Sequence, residues 1–460
     1  MGGVLTSVSP WHASERIASI AEDDEQSVAK ASARLLLAAP AWAADARARA
    51  DRLLQLGKAL HDRRAELIDL LVREAGKVVA DAEQEAEALQ RKIAISLAAG
   101  LARTPLHPPE RPTPGEPYCV RRPRGQAVVL GPFNFPLHLL HGLVVPALAV
   151  GATVLAKPSE RCPALGELYR RCLQAAGLGE VCAVVQGGPA VAQLLTRLPA
   201  LTTLAAVGGR ATGEALSRAL AGRPEVLLAL ELGGVNHALV LSDADLASAA
   251  QALAEGAWRM AGQRCTATRV VHVPARLQAE LIALLSAEQR RWRPDGTPQG
   301  PSGPLISRTA SARMRASYAA APTGLALIAG ELTERSAECA CVEPLLLELR
   351  GAEARAHPLY AQEQFAPALI VDAYEQHDEC LARMAANPYR LASAVYTASL
   401  ERFRSCAERL PYGQVNHNRP TAGARSDQPF GGLGLSGNGR PAGVAAGALF
   451  ADEAVVWPSA

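Results

Sequence analysis

Residues 126–160 read QAVVLGPFNFPLHLLHGLVVPALAVGATVLAKPSE, and the fold class turns on whether this stretch crosses a membrane or folds as strand, turn, helix and strand. Its middle part, 137–156, is nearly uncharged and long enough for a bilayer. His138, His141 and Pro146 interrupt it, and Pro132, Pro136 and Pro158 flank it, so it reads as a buried helix running into a buried strand. The same grammar continues downstream. The helical pattern ALGELYRRCLQAAG is followed by the short apolar runs VCAVVQG and LTTLAAVGG and the helix EALSRALAG. A second series after Leu232 holds NHALVL, the helix DLASAAQALAEGAWRMAG and RVVHV, and a third begins near ALIVDAY. Alternation of this kind predicts two α/β units built on parallel sheets. Upstream, 44–101 is Ala/Leu-rich with charges at helical spacing, which predicts long amphipathic helices. Residues 103–120 hold six prolines and mark a boundary, and EAVVWP near the end reads as a strand seeking an edge, in this chain or another subunit.

The 460 residues suffice for two or three packed units, and 49% hydrophobic against 20% charged residues exclude disorder. With 47 Lys+Arg against 45 Asp+Glu, the net charge of +2 creates no field that would recruit nucleic acid or an acidic membrane surface, so a small-molecule partner is expected. Nine cysteines carry no C-x-x-C pair, and Cys339-Ala-Cys341 has no neighbouring ligands at metal spacing. A reducing cytoplasm and no metal are expected. MGGVLTSVSPWHASERIASI has neither the basic cluster nor the apolar run of a signal peptide.

Gly432-Leu-Gly434-Leu-Ser-Gly437 is a literal G-x-G-x-x-G, but it follows a polar loop rather than opening a helix after a strand, so its glycines read as turn glycines. Gly208-Gly-Arg-Ala-Thr-Gly213 does follow an apolar run and open a helix: either a pyrophosphate faces the helix N-terminus there, or it is an ordinary strand-to-helix turn. Lys157 is one of five lysines and stands at a strand end with Ser159 and Glu160, as a holder of ribose hydroxyls or as a surface ion pair. Cys265, between a helix and a strand and beside Arg264, reads as a nucleophile held as thiolate or as an inert thiol. Glu231 ends the apolar run 226–230. Burial there would raise its pKa toward general-base duty, unless it is a structural ion pair. Asn134, bracketed by Pro132 and Pro136, is either a fixed donor for an oxyanion or a turn former.

GPFNFP, AKPSE, the G-x-x-x-x-G turn, LELGG, GQRCT, EQFAP and PFGGLGLSG, in that order, resemble the NAD(P)-dependent aldehyde dehydrogenase superfamily over nearly the whole chain. Lys92-Ile-Ala-Ile-Ser96, Pro136 to Val145, Ala261 to Thr266, Pro429 to Gly432, Gly437-Asn438 and Arg440-Pro441 are most similar to the branch acting on N-succinylglutamate 5-semialdehyde in arginine catabolism. The resemblance implies an α/β fold of that family: a Rossmann-like NAD-binding domain (1–102 and 122–231), an α/β catalytic domain (232–427) and a small oligomerisation element (103–121 and 446–460). It implies Cys265 as nucleophile, Glu231 as base and Asn134 with the Cys265 N–H as oxyanion donors. It also places Lys157, Ser159 and Glu160 at the adenosine ribose, Gly208 and Gly213 near the pyrophosphate, and Glu363 with Phe365 at the nicotinamide. NAD is favoured over NADP because Glu160 would crowd a 2′-phosphate. Arg264, Arg425 and Ser426 are the candidates for a substrate carboxylate. A homodimer or homotetramer is expected. Another carboxylated semialdehyde (succinate or glutamate semialdehyde) and a catalytically idle paralogue are the competing readings. The chain departs from the family at Val207 and Gly209 in the cofactor turn, Ala366 in EQFAP, Gly234-Val-Asn-His237, and His417.

Overall fold

A computed structural model describes residues 3–103 and 115–459, so 104–114 of the proline-rich boundary lie outside the described residues. The chain opens with an antiparallel hairpin, Val4–Val8 against Arg16–Ala21. The helix Glu25–Ala44 follows, starting at an Asp24 cap that exchanges hydrogen bonds with Ser27. Neither the hairpin nor this early helix start stands out in the sequence, because the first strand buries Leu5 and Ser7 and exposes Val4 and Val8, so its residue types do not follow its alternating burial. The amphipathic region then forms Ala46–Asp62, Arg64–Arg73 and Val79–Ile95; the first and third cover the helix His138–Val150, and the second packs against the third. The uncharged stretch is therefore core, and among the described residues no helix is long and apolar enough to cross a membrane.

Two large sheets follow. The first has six strands in the order Gly437–Asn438, Leu227–Glu231, Leu201–Val207, Gln126–Leu130, Thr153–Lys157, Cys182–Val184, all parallel except the first. The order reverses between Gln126–Leu130 and Leu201–Val207, the type of crevice where open α/β sheets bind ligands. The second has seven strands in the order Leu325–Ala329, Leu345–Leu349, Ala368–Tyr374, Thr268–Pro274, Asn236–Val240, Ala392–Tyr396, Gln414–His417, parallel apart from the first pair. The C-terminal strand Ala451–Val456 pairs antiparallel with Tyr118–Pro123 of the same chain. Cys339 and Cys341 are joined by a disulfide, their single intervening residue holding the Cα atoms 5.2 Å apart, within bridging reach.

Candidate active site

The carboxyl ends of the first sheet meet the amino ends of the second. Asn134 and Glu231 come from the former; Cys265, before Thr268–Pro274, and Glu363, before Ala368–Tyr374, come from the latter. Asn134 Nδ2 donates across the seam to the Gln263 carbonyl at 2.9 Å, and the N–H of Gly234, between the two sheets, donates to Glu363 Oε1 at 3.0 Å.

Cys265 is presented by an unusual turn. After the helix Leu246–Trp258 the backbone passes through Met260 (φ 57°), Ala261 (φ 51°) and Gly262 (φ 64°), three successive left-handed residues, two of them not glycine. Arg269, on the following strand, holds the turn by donating to the carbonyls of Gly262 and Ala366 at 2.6 Å each. Asn236 Nδ2 donates to the Cys265 carbonyl at 2.8 Å, while the Cys265 N–H has no acceptor among the described residues. Gln263 fixes the loop from beneath, bonding Ile306 N and the Pro304 carbonyl.

Glu231 is fully buried at the end of its strand, and neither carboxyl oxygen has a hydrogen-bond partner. Burial raises its pKa to about 7, the nearby Cys265 thiol partly offsetting the rise and the Glu363 charge adding to it. The thiol answers in kind, and here the sequence expectation needs correction. Burial and then the Glu231 and Glu363 charges push Cys265 well above the usual thiol range, and Arg264 beside it only partly opposes them. Cys265 is a thiol with a base at hand rather than a resting thiolate.

On the cofactor side, Lys157 is buried, its ammonium donating to the Pro158 carbonyl at 3.2 Å and lying 3.6 Å from Glu160. This is no surface ion pair. Ser159 is buried and accepts from the Arg161 N–H. At the turn, Gly209 caps the helix Arg210–Leu220 without a side-chain cap bond, and a Cβ there would meet nothing. A Cβ on Gly213, in contrast, would overlap Leu232, so that glycine serves close packing against the Glu231 strand. Phe365 (φ 52°) packs edge-on against Phe133, with ring centroids 5.7 Å apart. Ala366 is buried outside the left-handed region, so its methyl strains nothing. A half-exposed Glu160, a buried ammonium, an uncapped helix start and an open glycine turn at the strand-order reversal fit a dinucleotide.

The three candidate carboxylate binders part company. Arg425 is exposed and bidentate with Asp427 on its own loop, and Ser426 next to it is half-buried. Arg264 is different. Its guanidinium makes no hydrogen bond or ion pair among the described residues, and Nη1 is buried. The neighbouring Arg259 takes up the local acids, Asp81 at 2.7 Å and Glu255 at 3.2 Å. Sequence reading missed Gln263, Arg269 and Asn236 because their partners are backbone carbonyls from other segments. It also missed that Gly437, in the rejected glycine motif, pairs antiparallel with Glu231.

The aldehyde dehydrogenase family profile matches residues 3–454. The N-succinylglutamate 5-semialdehyde dehydrogenase 1 of Caulobacter vibrioides is 36% identical over 445 residues, covering 93% of this chain and 90% of that protein. The enzyme of the same name from Escherichia coli O7:K1 is 36% identical over 451 residues, covering 95% and 88%. Among solved structures, aldehyde dehydrogenase C of Pseudomonas syringae, in complex with NAD+ and octanal, superposes with a TM-score of 0.91 at 25% identity, covering 99% of this chain and 93% of that one.

Proposed function

Since this chain belongs to the aldehyde dehydrogenase family, we propose that it oxidises N-succinylglutamate 5-semialdehyde to N-succinylglutamate with NAD, using Cys265, Glu231 and Asn134. The observation that carries this reading is the convergence, from two different sheets, of a thiol, an unpartnered carboxyl and a fixed amide. The Cys265 thiol passes its proton to Glu231, and the sulfur adds to the aldehyde carbon. The new oxyanion takes hydrogen bonds from the Asn134 amide and the free Cys265 N–H, both held before the reaction begins. A bound nicotinamide dinucleotide supplies the acceptor for the two electrons and hydrogen that leave the carbon. Once Glu231 has released that first proton to solvent, the thioester that remains on Cys265 is hydrolysed by a water whose proton goes to Glu231 and from there to the departing sulfur, regenerating the thiol.

Lys157 and Glu160 would hold the adenosine ribose, the Gly208–Gly209 turn the pyrophosphate, and Glu363 with Phe365 the nicotinamide side. Glu160 favours NAD over NADP by charge. The substrate assignment draws on the names of the relatives and on Arg264, a half-buried cation adjacent to the nucleophile whose Nη1 is buried without a partner among the described residues. The first sheet with the N-terminal helices would form the NAD-binding domain, the second the catalytic domain, and the pair Tyr118–Pro123 with Ala451–Val456 an oligomerisation element of a homodimer or homotetramer. The test is NADH formation at 340 nm on a panel of succinylglutamate, succinate and glutamate semialdehydes and simple aliphatic aldehydes, with NAD and NADP. An aliphatic aldehyde outrunning every carboxylated one would sink the substrate assignment.

A further inference from the structure

Nothing above uses Lys77, yet its ammonium is buried between two parts of the site that must act together. Nζ lies 4.2 Å from the centre of the Phe135 ring, next to Asn134, and 4.0 Å from Met260 Sδ, in the turn that delivers Cys265. Its counter-ion is the buried Glu85, at 3.1 Å. The other Glu85 oxygen accepts from the N–H groups of Leu137 and His138 at 3.1 and 2.9 Å, which fixes the first turn after Asn134.

These contacts close a ring. Asn134 Nδ2 donates to the Gln263 carbonyl, the Gln263 N–H donates to the Met260 carbonyl at 3.0 Å, and the Met260 sulfur leads back to Lys77. Neighbouring residues brace both ends of it. Gly76 (φ 72°) is wedged between Pro10 and Pro304, each 3.1 Å from where a Cβ would stand, and the Pro304 carbonyl accepts from Gln263 Nε2. Asp81 holds Arg259, the residue before Met260, at 2.7 Å. A buried ion pair commonly stabilises a fold no better than apolar residues of the same volume. What this one supplies is a fixed separation, because neither charge can move away without leaving the other buried and unpaired.

We propose that Lys77, held by Glu85, is a positioning residue that sets the distance between the Asn134 amide and the Cys265 turn, so that oxyanion donor and nucleophile meet at one aldehyde carbonyl. The inference rests on the reading under Proposed function in which Asn134 donates to the oxyanion. Lys77 acts through Phe135 and Met260 and touches neither the aldehyde nor the Cys265 thiol. Its loss therefore weakens a contact made in the transition state, which lowers kcat rather than raising KM. That loss has nothing left to weaken once the Asn134 amide is gone, so the two residues are coupled.

The test is a double-mutant cycle on NADH formation, run with whichever aldehyde of the panel the wild type oxidises fastest, in the wild type, Lys77→Met, Asn134→Ala and the two combined, with alkylation of Cys265 by iodoacetamide measured alongside. Lys77→Met keeps a linear side chain and removes the charge. It should lower kcat about tenfold or more with KM within about threefold of wild type, and lower kcat less than about twofold where Asn134 is already alanine. Alkylation, which needs no oxyanion, should stay within about threefold, because Arg269 holds the nucleophile turn independently. Equal losses of kcat in both backgrounds, or alkylation falling in step with kcat, would reduce the pair to general support of the fold and overturn the inference. Should Lys77→Met not fold with Glu85 left unpaired, the variant Lys77→Met/Glu85→Gln, which removes both charges and keeps an oxygen for the helix start, is read by the same cycle. An Asn134→Ala enzyme as fast as the wild type would remove the oxyanion reading itself, whereas a slow one to which Lys77→Met adds its full loss removes only this inference.

Discussion

Cys265 is delivered by a turn with three left-handed residues in a row, whereas Glu231 ends a strand that is paired on both sides, with Val207 on one and Gly437 on the other. The thiol is placed by strain that neighbouring contacts over-determine: Arg269 ties the turn to Ala366, and the Ala366 carbonyl fills the space a side chain at Gly262 would need. The carboxyl is placed by sheet register, which a one-residue slip would lose altogether. The nucleophile can thus be re-aimed by small changes around its turn, while the base is either in place or absent.

Breaking each side of this contrast gives graded outcomes. Cys265→Ala should abolish NADH formation, by at least about 10⁴-fold in kcat, since the covalent route disappears. Glu231→Gln should lower kcat about 10²- to 10⁴-fold. The ionised carboxyl is the working base, so wild-type kcat should climb with pH through about 7, and this limb should vanish in the glutamine variant. The sign for stability is opposite. A carboxyl whose folded pKa is raised contributes most when protonated, so the wild type should lose melting temperature relative to Glu231→Gln as pH rises through about 7. Asn134→Ala, which removes a donor without touching either mode of delivery, should cost about 10²- to 10³-fold in kcat. Gly262→Ala and Gly437→Ala compare the two devices directly, because each new Cβ would overlap a backbone carbonyl oxygen, that of Ala366 or that of Leu230. Each should destabilise by at least about 1–2 kcal/mol. The 262 variant should chiefly depress the rate of thiol alkylation at fixed pH, the 437 variant chiefly flatten the pH limb of kcat. Smallest of all, Glu160→Gln should raise kcat/KM with NADP relative to NAD by about tenfold.

Much of this was legible in the chain. Helices and strands of the two sheets follow from 3.6-residue and continuous apolar patterns, and the strand-end positions of Lys157 and Glu231 from where those runs stop. What escaped was whatever depends on partners distant in sequence. The thiolate expectation weighed only Arg264, the adjacent charge, whereas Glu231 and Glu363 reach the sulfur from other segments and outweigh it. Met260 and Ala261 carry no sign of left-handed backbone, because glycine is the usual marker and only Gly262 provides it. The glycines of 432–437 were rightly separated from a dinucleotide fingerprint, yet their pairing with the Glu231 strand has no local signature.

That pairing bears on how the chain is made. The N–H of Leu230 is bonded to the side chain of Asn438, 208 positions later, so during synthesis the strand ending in Glu231 waits as an open sheet edge until the far segment emerges from the ribosome. A nascent chain stalled before that point would carry Cys265 and Glu231 without the rail that fixes the base, and its exposed edge would invite pairing with another unfinished copy.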